Sequence, residues 1–413
     1  MSDRRRNNFM DESTNSELSI SDSLKSLILS TVNATRDLFV FTDEELHKTS
    51  PEVILRRMLS TRSAISTSSS LAEANQRARD DATQQNFTNI GQGQCGTVFG
   101  LKGTTMVIKL PNPSNKEDEL FVDFQMHKVV WEAFSAFASI HEDIHVPRVG
   151  VWVGPKSTHF WDTKAALFPQ NVRTPNYGLV SERIYPLPLP VREAIVDALC
   201  PEAIKDTKSE FLNRIENKNC LVRLYLGRRN DSRKMEARNV RLRNFPLHVD
   251  EMERLGLDTS SFAMTIAKAL AFLHWKAGVD GNDVEFVLGS TPQITGKPTK
   301  EDLLIANKDT AGEMFSTDFE HRTISIWLLD FNQCKLFDHD SAGVKKLVEG
   351  FWFNDPYYPR PNATDKNDKK LWRLFAEHYI KVSQELTNTP GPAMFINSVI
   401  AKGKERSGGS MFG

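Results

Sequence analysis

Hydrophobic positions change their spacing along the chain, and the change divides it into parts. Up to about residue 85 the pattern is weakly helical, with a helix start at Ser50-Pro51 and then a polar, Ser/Thr-rich stretch. From Phe87 onward short β-rich runs follow one another. Two of them, "TVFGL" and "TTMVIKL", flank Lys102-Gly103, which is typical of a hairpin. The pattern therefore predicts an extension followed by a domain that begins with strands.

Helices and further strands are predicted after the hairpin, and helical spacing dominates towards the C-terminus. Long amphipathic helices are predicted over "DELFVDFQMHKVV", "SFAMTIAKALAFLHW" and "DKKLWRLFAEHYIKVSQEL", while "NYGLVSERI", "VEFVLG" and "ISIWLLDF" are predicted strands. We therefore predict an α+β protein with a β-rich N-lobe and a helical C-lobe. The predicted segments are a disordered or helical extension over 1–85, the N-lobe over 86–185, the C-lobe over 186–405 with a polar looped insertion near 289–323, and a flexible tail over 406–413.

Composition and charge exclude several classes of function. The formal net charge is −1, so no overall field draws the chain to nucleic acid or to an anionic membrane. No apolar run approaches the roughly 20 residues of a membrane span, and no apolar core follows the N-terminal arginines as in a secretory signal. The four cysteines form no C-x-x-C pair, which argues against structural zinc. An intracellular protein, cytoplasmic or nuclear, is expected.

A glycine-rich stretch, "NIGQGQCGTVFGLKGTTMVIKL", carries the first chemical signal. Gly91, Gly93 and Gly96 form a G-x-G-x-x-G array, followed by Val98 and Lys109. A dinucleotide fingerprint needs a helix after the glycines, and a Walker loop needs G-K-[ST]; both are missing. The remaining functional interpretation is a glycine-rich hairpin over phosphates, with Lys109 as their point charge and Val98 against a base. A glycine-rich hairpin with a surface lysine is the alternative.

Later blocks follow in the order expected of a phosphotransferase cleft. A helix carboxylate is needed to orient Lys109, and Asp123 is preferred because its neighbours are apolar; Glu119 and Glu132 stay open. Further along, "HWKAGVDGNDVEFVLG" and "IWLLDFNQC" each pair a short strand with acidic residues. With the glycine hairpin, these blocks resemble the protein-kinase-like superfamily over roughly residues 87–337. The resemblance implies a two-lobed protein-kinase-like fold.

The resemblance also implies roles for individual residues. Backbone groups from Ser181 to Arg183, around Glu182, would meet an adenine edge. Asp280 would be the catalytic base, with Asp283 as a competing candidate and Asn282 as a competing match. The two metal-binding positions would be Glu285 and Asp330. The residues implied for the nucleotide are Gly91, Gly93, Gly96, Val98, Lys109, Asp123 and Glu182.

The implied cofactors are ATP and Mg²⁺, but the blocks depart from the kinase pattern. Asn332 stands where a glycine is expected, and Gly278 and Val279 replace the His-Arg pair before Asp280. An ATP-binding, atypical phosphotransferase and a catalytically weak or inactive pseudokinase that acts as an interaction module both stay open. The same two blocks also resemble an uncharacterised fungal family that carries a zinc-finger-like label, which implies a fungal source and no established reaction.

Partners are less constrained than cofactors. No A-P-E block follows Asp330, so the acceptor is expected to be an unknown protein or a small molecule. The basic run between Leu226 and Asn244 raises a nucleic-acid role, but acids interrupt it and aromatics are absent, which favours a solvated loop. We expect no membrane partner.

Overall fold

Five strands of the N-lobe form one antiparallel sheet, in the order β2 (Phe87–Gln92), β3 (Gly96–Leu101), β4 (Met106–Pro111), β7 (Gly178–Glu182) and β6 (Val149–Val153). Alternate residues point inward, so that Phe99 and Ile108 pack against Phe87 and Phe168 under the sheet. The turn between β3 and β4 uses Gly103 at φ 75°, a backbone conformation that favours glycine. The hairpin predicted at this point is present.

The structure is a computed structural model that describes residues 48–60, 64–66, 69–113, 115–137, 144–230, 236–295, 300–305, 307 and 316–408. Its strands are β1 (Ala64–Ser66), β2 (Phe87–Gln92), β3 (Gly96–Leu101), β4 (Met106–Pro111), β5 (Ile144–His145), β6 (Val149–Val153), β7 (Gly178–Glu182), β8 (Val222–Tyr225), β9 (Phe245–His248), β10 (Glu285–Thr295) and β11 (Ser316–Leu329).

Ten of the fourteen α-helices in the described part of the chain follow residue 185. They are α1 (Pro51–Met58), α2 (Ser70–Asp80), α3 (Glu117–Ser135), α4 (Thr158–Lys164), α5 (Leu189–Leu199), α6 (Glu202–Lys205), α7 (Lys208–Asn213), α8 (Ile215–Lys218), α9 (Val249–Leu255), α10 (Thr259–Trp275), α11 (Lys300–Ile305), α12 (Ser341–Phe353), α13 (Lys366–Leu386) and α14 (Gly391–Gly408).

Helix α10 is the centre of the C-lobe. It is apolar on almost every side, and residues from Phe262 to Trp275 are buried, as expected for a helix surrounded by protein. Asp258 caps its start by accepting a hydrogen bond from the Ser261 amide at 2.9 Å. Trp275 Nε1 donates to the Tyr379 hydroxyl at 2.7 Å, which joins α10 to α13. These contacts anchor the loop that follows α10 and leads into the cleft.

A second sheet lies in the C-lobe, in the order β1-β11-β10-β8-β9, with β5 also paired to β11. Strands β10 and β11 are antiparallel. Glu285 lies opposite Leu329 at one end and Thr295 lies opposite Ser316 at the other, with a register shift between Pro292 and Gln293. The insertion predicted as a polar loop near 289–323 therefore contains, in its described parts, the outer ends of both strands and the short helix α11. Ser290 is fully buried there and Phe319 is only 2% exposed, which the polar composition of the segment had concealed.

The segment before residue 86 also departs from its prediction as an appended extension. Leu55 of helix α1 and Leu59, the residue after the helix, are buried in the C-lobe core, and Arg56 Nε donates to the Leu255 carbonyl at 2.8 Å. Strand β1 pairs with β11. The part of the weakly helical pattern that precedes residue 48 lies outside the described residues, as does the tail after residue 408.

The predicted fold class is confirmed: the chain is α+β, with an antiparallel N-terminal sheet, helices towards the C-terminus and two lobes. Among the described residues no helix combines the length and apolar character that crossing a membrane requires.

Candidate functional site

A cavity of about 620 Å³ lies between the N-lobe sheet and the C-lobe. Most of the predicted site residues line it; Gly96, Asp280 and the alternatives Glu119, Glu132 and Asn282 do not. The lining residues are Ile90, Gly91, Gln92, Gly93, Gln94, Val98, Val107, Lys109, Asp123, His127, Pro147, Leu179, Ser181, Glu182, Ile184, Pro186, Asn219, Leu221, Arg223, Arg243, Asn244, Asp283, Glu285, Leu329 and Asp330.

The glycine hairpin covers this cavity, and its three glycines serve different purposes. A Cβ at Gly96 would lie 2.6 Å from the Leu110 carbonyl oxygen, so packing against β4 requires glycine there. A Cβ at Gly91 or Gly93 would meet no atom closer than 3.8 Å. The Gly93 amide donates to the Gly96 carbonyl at 2.8 Å and closes the turn. Packing would therefore allow a side chain at Gly91 and at Gly93. The glycines there leave the backbone open to the cavity.

Lys109 lies below the hairpin, between two carboxylates. Its Nζ is 2.7 Å from Asp123 Oδ2 on α3 and 3.2 Å from Asp330 Oδ1 after β11. Burial favours a lower pKa for Lys109, but the two carboxylates outweigh it and hold that pKa well above its usual value. Asp123 is the partner preferred among the three predicted candidates. The lysine is a permanent cation fixed at the inner end of the cleft.

Asp330 has a strained backbone that aims its side chain at Lys109. Its φ is 67°, an uncommon value for a residue with a side chain. The next residue, Phe331, donates its amide to Asp123 Oδ1 at 3.0 Å and packs its ring on His127 of α3. Burial raises the pKa of Asp330, and Lys109 opposes the rise. Helix α3 therefore positions both the lysine and the strand-end carboxylate.

Asp280, the predicted catalytic base, does not reach the cavity. It is buried, and its Oδ1 accepts hydrogen bonds from the Asn282 amide at 3.1 Å and the Lys335 amide at 3.0 Å. It braces the loop after α10 from behind. The geometry therefore moves the base assignment away from Asp280, and Asn282 is likewise absent from the cavity lining.

Asp283, the competing candidate, faces the cleft. Its φ is 62°, and its own amide donates to Asn354 Oδ1 at 2.6 Å, which fixes the turn. Its Oδ2 accepts from Gln333 Nε2 at 2.8 Å. Burial raises the pKa of Asp283, and the neighbouring Asp330 carboxylate raises it further. Asp283 and Asp330 thus form a pair of interacting acids on the C-lobe side of the cavity.

Glu285, predicted as a metal ligand, already has a cationic partner. Arg223 on β8 forms an ion pair with it through Nη2 and Oε1. Burial raises the pKa of Glu285 to about 7, although Arg223 works in the opposite direction. Its carboxylate lines the cavity but is held by the guanidinium, which weakens the predicted role as a metal ligand.

The segment predicted to meet an adenine edge is strand β7 and the residues after it. The Glu182 amide donates to the Arg148 carbonyl at 2.9 Å, and the Arg183 amide donates to the Thr105 carbonyl at 2.8 Å. Both amides are therefore used inside the N-lobe. The Glu182 carboxylate accepts the Arg148 amide at 3.0 Å, so this side chain also has a structural task. The apolar residues Val98, Val107 and Leu329 line the cavity nearby.

Sequence reasoning missed Arg223, Gln333 and Asn354. The signal for Arg223 was present, because a charged residue interrupts the apolar run "CLVRLYLG". Asn354 is distant in sequence from the loop whose backbone it holds, so no local pattern connects the two.

The basic run suggested as a nucleic-acid surface is at least partly neutralised by acids. Arg229 forms ion pairs with Glu253 at 2.8 Å and Asp368 at 2.6 Å. Residues 231–235 of this run lie outside the described part of the chain. The geometry of Arg229 agrees with a structural loop.

The cysteines offer little to a metal ion. Cys200 and Cys220 are buried, and burial raises the pKa of each thiol to about 12. Among the described residues, one group has the spacing to hold a metal, namely Cys95, Asp123 and Asp330, whose ligand atoms lie within 4.8 Å of one another. Lys109 already bonds the two carboxylates of that group.

Comparison with known proteins identifies one family over part of the chain. A family model described as DUF3669, zinc finger protein, matches residues 326–391, well under half of the chain. No curated protein matches. The matched segment contains a single cysteine, Cys334, which is buried and donates to the Asn282 carbonyl, so these residues do not fit a zinc finger. This result contradicts the expected membership of the protein-kinase-like superfamily.

Proposed function

We propose that the cavity binds ATP together with Mg²⁺. The observation that carries this proposal is Lys109, fixed between Asp123 and Asp330 below a hairpin whose Gly91 and Gly93 leave backbone open to the cavity. Backbone amides and a buried lysine attract phosphate groups, and a carboxylate beside them suits the divalent ion that accompanies a triphosphate. The proposal rests on this chemistry and not on family membership.

The outer part of the cavity suits a base. Val98 and Val107 on the N-lobe side and Leu329 on the C-lobe side are cavity-lining apolar residues between which a flat ring can be held. Ile184 and Leu221 extend the apolar surface towards the connection between the lobes. A nucleoside would therefore place its base outward and its phosphates inward, towards Lys109.

The inner part of the cavity provides the groups for phosphate chemistry. Asp330 is the carboxylate proposed to hold Mg²⁺, because it borders the lysine and ends a strand in the cleft. When bound, the ion would neutralise phosphate charge. Asp283 is the cleft carboxylate that would orient an acceptor hydroxyl and take its proton. With these groups the site supports an atypical phosphotransferase.

A second candidate is a nucleotide-binding module without transfer activity. The observation that favours it is the position of Asp280, the predicted catalytic base, whose carboxylate braces backbone amides behind the loop and does not line the cavity. Such a protein would use nucleotide to fix the arrangement of its lobes and present a surface to a partner.

Nucleotide binding is tested by melting temperature at increasing ATP, with and without Mg²⁺. A ligand that binds only the folded chain stabilises it, by about 2.7 kcal/mol at 100 times its Kd. We expect the melting temperature of the wild type to rise with ATP. For Asp330→Asn, which removes the proposed metal ligand, we expect the rise to depend much less on Mg²⁺. Asparagine is chosen because it tolerates the positive φ of this site. The matched control is Asp118→Asn, on the exposed side of α3.

The outcome for the wild type decides the proposal. A melting temperature that does not change at millimolar ATP would rule out nucleotide binding in this cleft. A rise that Asp330→Asn and Asp118→Asn share in full would remove the metal role of Asp330. Release of inorganic phosphate from ATP, or its transfer to an added hydroxyl compound, separates the phosphotransferase from the module without activity.

A further inference from the structure

The pair formed by Arg223 and Glu285 lies inside the proposed nucleotide cleft and has no role in the function described so far. Arg223 is on β8 and Glu285 begins β10, two antiparallel neighbours with Arg223 opposite Val287. This register places the two side chains diagonally on one face of the sheet, where long side chains can touch. Both line the cavity, and both are largely buried, at 26% and 13% side-chain exposure.

The charged groups around the cavity are mostly committed to one another. Asp123 binds Lys109 and the Phe331 amide, and Glu182 accepts the Arg148 amide. Lys109 also contacts Asp330. The charged lining residues are Lys109, Arg223 and Arg243 on the basic side and Asp123, Glu182, Asp283, Glu285 and Asp330 on the acidic side.

This distribution leaves ligands for one divalent ion. Mg²⁺ in nucleotide sites uses one or two carboxylates with phosphate oxygens and water, and Asp330 alone meets that need, while Asp283 keeps the acid–base role proposed above. A second ion would need Glu285 as its ligand. The guanidinium bonded to Glu285 both occupies the carboxylate and repels another cation at close range.

We infer that Arg223 is a fixed second cation of the cleft, so that the nucleotide binds with one divalent ion and the arginine stands where a second ion would be held. This inference rests on the proposed nucleotide function. Arg223 positions Glu285 and offers its remaining guanidinium donors to the phosphate end of the cleft, as planar guanidinium groups suit phosphate oxygens. It is a positioning residue, not a catalytic one.

The test counts Mn²⁺ ions bound to the full chain in the presence of saturating ATP by equilibrium dialysis, in which the unbound ion and the unbound Mn–ATP complex are equal on both sides and the excess manganese on the protein side gives the number of ions per chain. ATP binding itself is measured separately by calorimetry. The wild type is expected to bind one ion per chain. Arg223→Lys keeps a cation and is expected to bind one, while Arg223→Gln frees Glu285 and is expected to bind two.

Each result decides the inference. Two ions on the wild type, or one ion on Arg223→Gln when that variant still binds ATP, would overturn it. Should Arg223→Gln fail to fold, Glu285→Gln gives the second comparison: the inference expects the count to stay at one, whereas a ligand role for Glu285 in a two-ion site expects a count that falls from two. If calorimetry finds no ATP bound to the wild type, the proposed function fails, and the inference fails with it.

Discussion

Carboxyl groups in the cleft are close enough to influence one another's ionisation. Burial raises the pKa of Asp283, Glu285 and Asp330, and each also feels the charge of at least one neighbour. Lys109 and Arg223 oppose these shifts for the acids that they contact. At the scale of residues, the site is a balance between desolvated acids and two fixed cations.

Glu285 predicts a pH-dependent stability. Its pKa rises from 4.5 to about 7 on folding, mainly through burial, so the folded chain holds the proton more tightly than the unfolded chain. The stability from the protonated form is present below the unfolded pKa and is lost as pH rises towards the folded pKa. We expect Glu285→Gln to gain on the order of 2 kcal/mol relative to the wild type between about pH 5 and about pH 8.

Urea unfolding at several pH values measures this difference. Glu132→Gln, an exposed position on α3, is the matched control and should show no pH-dependent gain. A constant offset between Glu285→Gln and the wild type at every pH would contradict the shifted pKa.

Asp280 and Asp283 are predicted to separate stability from ligand response. Asp280→Ala leaves two loop amides without their acceptor and should lower the free energy of unfolding by about 2 kcal/mol, while the folded protein still responds to ATP. Asp283→Asn keeps the size of the side chain at a φ of 62° and should change stability by less than about 0.5 kcal/mol. Its effect is expected on phosphate release instead.

Chemical denaturation and phosphate release, measured on the same preparations, check this pair. Loss of phosphate release in Asp280→Ala but not in Asp283→Asn, at a temperature where both are folded, would return the base assignment to Asp280.

Helix α2 joins elements from both lobes. Asn75 Oδ1 accepts the Gly103 amide of the β3–β4 turn at 3.0 Å, and Arg79 Nη1 donates to the Thr317 carbonyl of β11 at 2.8 Å. The turn therefore packs directly on the backbone of α2. At the scale of elements, the N-lobe hairpin is held by a helix that precedes it in the chain.

Gly103→Ala is predicted to loosen this contact. A Cβ there would lie 2.5 Å from the backbone of Ala78 and Arg79, and φ is 75°, so both a clash and backbone strain result. Gly278 has a similar φ of 67° but nothing within 4 Å of a Cβ, which makes Gly278→Ala a control for strain alone.

We expect about 1 kcal/mol of destabilisation from Gly278→Ala, and about 2 kcal/mol more from Gly103→Ala, measured by urea unfolding. Equal losses in the two variants would show that the α2 contact adds nothing to the stability of the hairpin.

The C-lobe core extends to residues far away in the sequence. Leu55 and Leu59 of the α1 segment have no exposed surface and belong to the same cluster as α10 and the strands β8 to β11. At the scale of the whole molecule, the described part of the N-terminal region is a component of the main fold and not a separate attachment.

Leu55→Ala is therefore expected to destabilise the whole molecule by about 2–5 kcal/mol, the usual loss for a leucine removed from a packed core. Glu52→Gln, on the exposed side of the same helix, should change stability by less than about 0.5 kcal/mol. Thermal unfolding followed by both far-UV circular dichroism and tryptophan fluorescence checks this. A Leu55→Ala protein as stable as Glu52→Gln would mean that α1 is not part of the core.

Local patterns were enough for the hairpin, the long helices, the two-lobed class and the partner of Lys109. Period-two and helical spacing reflect which side of an element is buried, and Asp123 stood out because an acid among apolar neighbours needs a cation. The same patterns were not enough for the 289–323 segment, where polar side chains lie in paired strands. The strands of that segment pair with residues that are distant in sequence, and a local sequence pattern carries no information about such a partner.

By itself, the sequence determined most of the elements, their order and the residue types available to the cleft. Only the tertiary structure decided which acids face that cleft. Asp280 and Asp283 are three positions apart in one loop. The Lys335 amide holds the Asp280 carboxylate inside the protein, whereas the Asn354 side chain fixes the turn at which Asp283 faces the cavity. The contact between Arg223 and Glu285 likewise depends on the tertiary structure, because the register of β8 against β10 brings the two side chains together. Such contacts join distant segments, and their energies depend on burial that exists only once the chain has folded.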